Sequence, residues 1–309
     1  MILDIKTNLE KEILIPTKKN QFERKHIFYD IKNVVINNSN KENTIDLYYC
    51  FSLYEKNLSL CRTNNLDLAA FWISKVDVAH SQLSNDLFQH LKLLYLPMVA
   101  FYHYKRKNYS LALNLLSDEI LQAYSILRDN ENLRLSITFE QIINKYRVLF
   151  AAKDYQTALS LAIDSINCIV NNKPFKDVYK VEMKSIIEEG YTEYLQWADY
   201  IINSIIERII HDKELSEFEK NNMIYHVFKN VEQVENKKFF YLNMAKQNIE
   251  YFIKNKKSEF IESSYNLSKN ISSLPAGVQF FFLYSLDKNN IINRKLHDEY
   301  IEKVLKLAV

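Results

Sequence analysis

Glu23-x-x-His26 has the three-residue spacing at which two side chains share one helical face, the half-site pattern of carboxylate-bridged di-iron bundles, and Asp77-x-x-His80 repeats it with a shorter acid. A complete site of that kind also requires matching glutamates on two further helices, and the sequence nominates none. The remaining histidines, His90, His103, His211, His226 and His297, are tied by no motif to a serine or cysteine. The adjacent carboxylates Asp118-Glu119 and Glu188-Glu189 point about 100° apart on a helix, so they form no acid–base pair and are expected to be solvated. No H-E-x-x-H, paired Cys/His spacing or calcium loop occurs. No cofactor is expected, and a helical metal-dependent enzyme stands only as a second alternative, its site assembled from distant residues.

Glycine usage excludes more chemistry. The chain contains two glycines, Gly190 and Gly277, whereas phosphate-cradling loops need several to bring backbone N–H groups against a ligand. Hairpin-rich β folds need them for turns with positive φ, so the composition predicts an all-α protein. Forty basic residues against 38 acidic ones leave a net charge of +2, which does not predict a nucleic-acid binder. Three cysteines without a C-x-x-C pair suit a reducing compartment. The amino terminus lacks a signal-peptide pattern, and the longest apolar run, residues 93–104, is shorter than the roughly 18 residues a membrane span requires. These features together predict a soluble cytoplasmic protein with no membrane contact.

The elements follow from periodicity. Apolar positions at helical spacing predict helices near residues 22–36, 43–62, 66–80, 86–105, 109–127, 133–151, 155–170, 176–189, 191–211, 215–235, 238–254, 258–272 and 291–307. Breaks fall at Asn171–Pro174 and Ser272–Gly277. The basic, aromatic stretch Tyr102-His103-Tyr104-Lys105-Arg106-Lys107-Asn108-Tyr109 is read as a corner between two helices, because cations at a helix carboxyl terminus complement its dipole without any ligand.

Three such corners align as Asn65-Leu66-x-x-Ala69, Asn108-Tyr109-x-x-Ala112 and Asp154-Tyr155-x-x-Ala158, at offsets of 43 and 46 residues. In each, Asn or Asp is expected to cap the second helix, a large side chain to cover the open end of the hairpin, and the alanine to let the paired helices approach.

Over residues 43–170 this pattern resembles the tetratricopeptide repeat, whose second helix opens with Asp-Tyr-x-x-Ala, although the spacing here exceeds that family's period of about 34. The resemblance implies antiparallel helix pairs stacked into a right-handed superhelix, a TPR-like α-solenoid. Its expected divisions are an amino-terminal helical cap at 1–42, helix-hairpin repeats at 43–174, and divergent repeats or a helical cap at 175–309. It also implies a groove lined by the first helix of each pair, for a protein or peptide partner. By position the groove residues are Phe101, Tyr104, Lys105, Asn144, Arg147 and Phe150, with Tyr54 and Leu58 from the most divergent copy. The function implied is a non-catalytic binding scaffold or adaptor. A bacterial peptide-sensing regulator with a helical-repeat receptor is the alternative, though residues 1–36 lack the helix pair of a DNA-binding module.

Overall fold

A computed structural model describes residues 1–14, 25–39, 44–171, 192–232, 240–274 and 276–300. Among these residues every regular element is helical. In chain order they are α1 (Ile2–Leu14), α2 (Lys25–Asn37), α3 (Thr44–Arg62), α4 (Leu66–His80), α5 (Asn85–Lys105), α6 (Tyr109–Ile126), α7 (Glu131–Ala151), α8 (Tyr155–Asn171), α9 (Thr192–His211), α10 (Glu217–Asn230), α11 (Phe240–Ile253), α12 (Lys257–Ser268) and α13 (Ala276–Lys288). A 3₁₀ turn, Ile271–Ser273, precedes α13, and residues 294–300 are helical. The expected helix at 176–189 lies outside the described residues. No helix among the described residues is long and apolar enough to cross a membrane.

Neighbouring helices pack in pairs, and five of the reversals among the described residues share one geometry. Asn64, Lys107, Lys153, Asn255 and Asn290 adopt left-handed backbone, with φ between 53° and 64°. In each case the next N–H donates to the carbonyl five residues back: Asn65 to Leu60, Asn108 to His103, Asp154 to Leu149, Lys256 to Tyr251 and Ile291 to Leu286, all at 2.9–3.0 Å. This satisfies a terminal carbonyl and turns the chain sharply. Glycine is the usual left-handed residue here, and this chain uses asparagine or lysine instead.

Ala69, Ala112 and Ala158 are all fully buried, as the corner alignment requires. The capping expectation needs correction. The Asp154 carboxylate does accept from the N–H of Thr157, but the Asn65 and Asn108 side chains make no cap hydrogen bond. A fourth corner at Lys256 leads into α12 with Phe260, not alanine, at the corresponding buried position. Its ring packs on Phe252 of α11 at 5.7 Å, so a large side chain can also close a hairpin.

Helix α13 was not expected, because Ser272–Gly277 reads as a break and Val278–Leu283 shows no helical period. All six of those residues are buried, and a helix enclosed on every side has no polar face to reveal its pitch. Gly277 permits its closest approach: a Cβ there would stand 2.8 Å from the Asn203 Cα of α9, and the Gly277 N–H donates to the Asn203 side chain at 2.7 Å.

The chain forms two compact units, one of residues 1–22 with 159–309 and the other of residues 23–158. In the first, α1 packs on α12, with Ile5 and Leu9 fully buried and the Asn8 amide donating to Ser268 at 3.1 Å. In the second, the pairs α3–α4 and α5–α6 are followed by α7, and α2 crosses α5 and α7.

Candidate functional site

The nominated groove residues all lie in the 23–158 unit, on the first helices α3, α5 and α7. Two of them offer no surface. Tyr54 is 1% exposed and Phe150 6% exposed, because each falls on the stripe its helix turns into the core. The Tyr54 hydroxyl meets His80 Nε2 at 2.5 Å, and the Phe150 ring packs edge-on to Tyr155 at 5.3 Å. Both are structural members of their hairpins.

The other six are half-buried and fall into groups. On α5, Phe101 and Tyr104 stack at 6.1 Å with an interplanar angle of 22°, and the Lys105 ammonium lies 5.6 Å from the centre of the Phe101 ring. Tyr104 also packs with Ala100, Ala112, Leu116 and Val148, which brings it against α7. Leu58 of α3 packs on the main core cluster.

On α7 the site is a directed chain of hydrogen bonds. Arg147 Nη1 donates to Asn144 Oδ1 at 3.1 Å, Asn144 Nδ2 donates to Gln141 Oε1 at 2.9 Å, and Gln141 Nε2 donates to Glu119 Oε1 of α6 at 3.1 Å. A guanidinium can only donate, so Arg147 sets the orientation of both amides and aims the final N–H at the carboxyl. The sequence reading missed Glu119 and Gln141.

Glu119 also corrects the expectation of a solvated carboxylate. Asp118 is exposed, but Glu119 is fully buried, and its Oε2 has no hydrogen-bond partner among the described residues. Burial, reinforced by the nearby Glu140 carboxylate and opposed by the Gln141 hydrogen bond, holds the Glu119 carboxyl well above the usual carboxylate range. With Oε1 accepting, the retained proton belongs on Oε2. Its place was legible, because Ala112, Leu116, Glu119, Ile120 and Ala123 form one buried stripe at helical spacing.

The metal expectation finds no support from Asp77 and His80. The Tyr95 hydroxyl donates to Asp77 Oδ1 at 2.6 Å, while His80 turns to Tyr54 and packs between Phe88 and Tyr95, each ring centre 4.8 Å away. Burial lowers the His80 pKa to about 4, against a partial offset from Asp77, which leaves the ring neutral at pH 7. Among the described residues no group of three His, Cys, Asp or Glu could hold a metal ion. Glu23 and the side chain of His26 lie outside those residues. The three cysteines are buried and free, and burial pushes their thiols up to about 11 at Cys50 and Cys61 and about 12 at Cys168, so none is an activated nucleophile.

Comparison with family models, curated proteins and solved structures returned no match to this chain.

Proposed function

We propose that the protein is a non-catalytic cytoplasmic scaffold or adaptor that binds a protein or peptide, its hairpins stacked as a TPR-like right-handed superhelix with α3, α5 and α7 as the binding helices. The observation carrying this reading is the hydrogen-bonded row on α7, buried Gln141 followed by half-buried Asn144 and Arg147, beside the Phe101–Tyr104–Lys105 group of the preceding first helix. Oriented amide and guanidinium donors suit peptide carbonyls and carboxylates, while stacked rings supply rigid apolar area at low entropic cost. The five matching reversals and the buried corner alanines support the stacked-hairpin architecture.

Selection of a displayed random-peptide library against the full chain tests the reading. Enriched peptides are expected to bind the Lys105→Ala/Asn144→Ala variant at least about 10-fold more weakly than the parent, a change of about 1.4 kcal/mol. Lys107→Ala, at the exposed corner, is expected to leave affinity unchanged. Equal affinity for both variants and the parent would refute the assignment.

A further inference from the structure

The hydrogen-bonded row on α7 ends in two groups that compete for its direction. Each amide accepts on one side and donates on the other, so Gln141 and Asn144 must point the same way. Arg147 can only donate, and its bond to Asn144 Oδ1 directs the row toward Glu119. An ionised Glu119 accepts without conflict. A protonated Glu119 adds a second donor, and a row with donors at both ends leaves one O–H or N–H without an acceptor. That conflict stands at Glu119 Oε2, which is buried and has no hydrogen-bond partner among the described residues.

Helix α6 packs on α5 and α7. From α7, Arg134 lies over the Tyr124 ring of α6 at 5.0 Å, and Glu140 acts on Glu119 through its charge, opposing ionisation. From α5 the clustered side chains are apolar, Leu94 and Met98 with Ala123 and Ala100 with Leu116, joined by two tyrosines. The Tyr95 hydroxyl donates to Asp77, and the Tyr104 ring stacks on Phe101. The row thus connects the Glu119 carboxyl to the Arg147 guanidinium, which is half-buried like Asn144.

We propose that Glu119, Gln141, Asn144 and Arg147 form a two-state relay, in which a bound peptide that draws Arg147 to its own acceptors reverses the row and holds a proton on Glu119. This rests on the binding reading above and gives its regulation. In the reversed row both amides are turned over. Glu119 donates to Gln141 Oε1, Gln141 Nε2 donates to Asn144 Oδ1, and Asn144 Nδ2 joins Arg147 in donating to the peptide. Every donor then has an acceptor. Where Glu119 is ionised, one proton enters from solvent onto its carboxyl oxygen as the peptide docks, and by reciprocity the peptide binds more weakly wherever that proton has left.

The probe is a peptide enriched from the displayed library, titrated into the full chain from about pH 5.5 to about pH 8.5. Its affinity is expected to fall at least about 10-fold across that range in the parent and less than about 2-fold in Glu119→Gln, whose amide donates and accepts at every pH. In carbon-13 NMR of the parent, saturating peptide is expected to tighten proton binding at the Glu119 carboxyl at least about 10-fold. Equal pH dependence in parent and variant, or a carboxyl midpoint that the peptide leaves in place, would overturn the relay. Without peptide, Arg147→Ala is expected to tighten the same proton at least about 10-fold, and less than about 2-fold in an Asn144→Leu background, where the row is cut. An equal effect in both backgrounds would mean that charge alone acts and would also overturn it. Library peptides that depend on Lys105 and Asn144, with a Glu119 proton indifferent to Arg147, would sink the relay and leave the peptide-binding reading standing. A proton that tracks Arg147 through Asn144, with no peptide enriched, would do the reverse.

Discussion

At the residue scale, two buried ionisable groups in the 23–158 unit oppose each other. Glu119 holds its proton more tightly folded than unfolded, so its contribution to stability is full below about 4.5 and declines as pH rises above that value, by up to about 1.4 kcal/mol per unit. His80 is the reverse case. Its pKa falls from 6.5 to about 4 on folding, so stability from the neutral ring is full above 6.5 and is lost as pH falls towards 4. Between about 4.5 and 6.5 the two contributions have opposite slopes. Denaturant titrations across this window are expected to show stability rising more steeply with pH in Glu119→Gln than in the parent, and less steeply in His80→Phe than in the parent. His80→Phe is also expected to lose about 1–3 kcal/mol at pH 7 by stranding the Tyr54 hydroxyl. Both inward positions were legible from helical spacing, since His80 continues the Ala69–Val76 stripe. Their partners were not, because Gln141 lies 22 residues from Glu119 and Tyr54 lies 26 from His80.

At the element scale, the reversals decide where helices stop and which helices pair. A left-handed lysine carries a steric penalty that glycine avoids, so Lys153→Gly is expected to raise stability by about 1 kcal/mol in equilibrium unfolding. Asn64→Gly should gain less, since asparagine tolerates that conformation. Ala112→Leu is expected to lose about 1–3 kcal/mol, because the fully buried methyl leaves no room between α5 and α6. These corners were readable because each is a short local pattern. Helix α13 was not, since its burial on all sides erases the alternation on which such readings depend.

At the scale of the whole molecule, α1 packs with the carboxy-terminal unit and the boundary between the two units falls within α8. Leu9→Ala is therefore expected to lose about 2–5 kcal/mol, measured as faster amide exchange in α12 with α5 unaffected. The sequence by itself determined the helical class and most helix positions, along with the buried alanines, because helical pitch and corner geometry are set within a few residues of chain. Only the tertiary structure decided that α2 lies across α5 and α7, that Glu119 meets Gln141, and that the first helix joins the last ones. Those outcomes depend on which apolar stripes find each other in space, and every amphipathic helix offers a stripe that several others could cover.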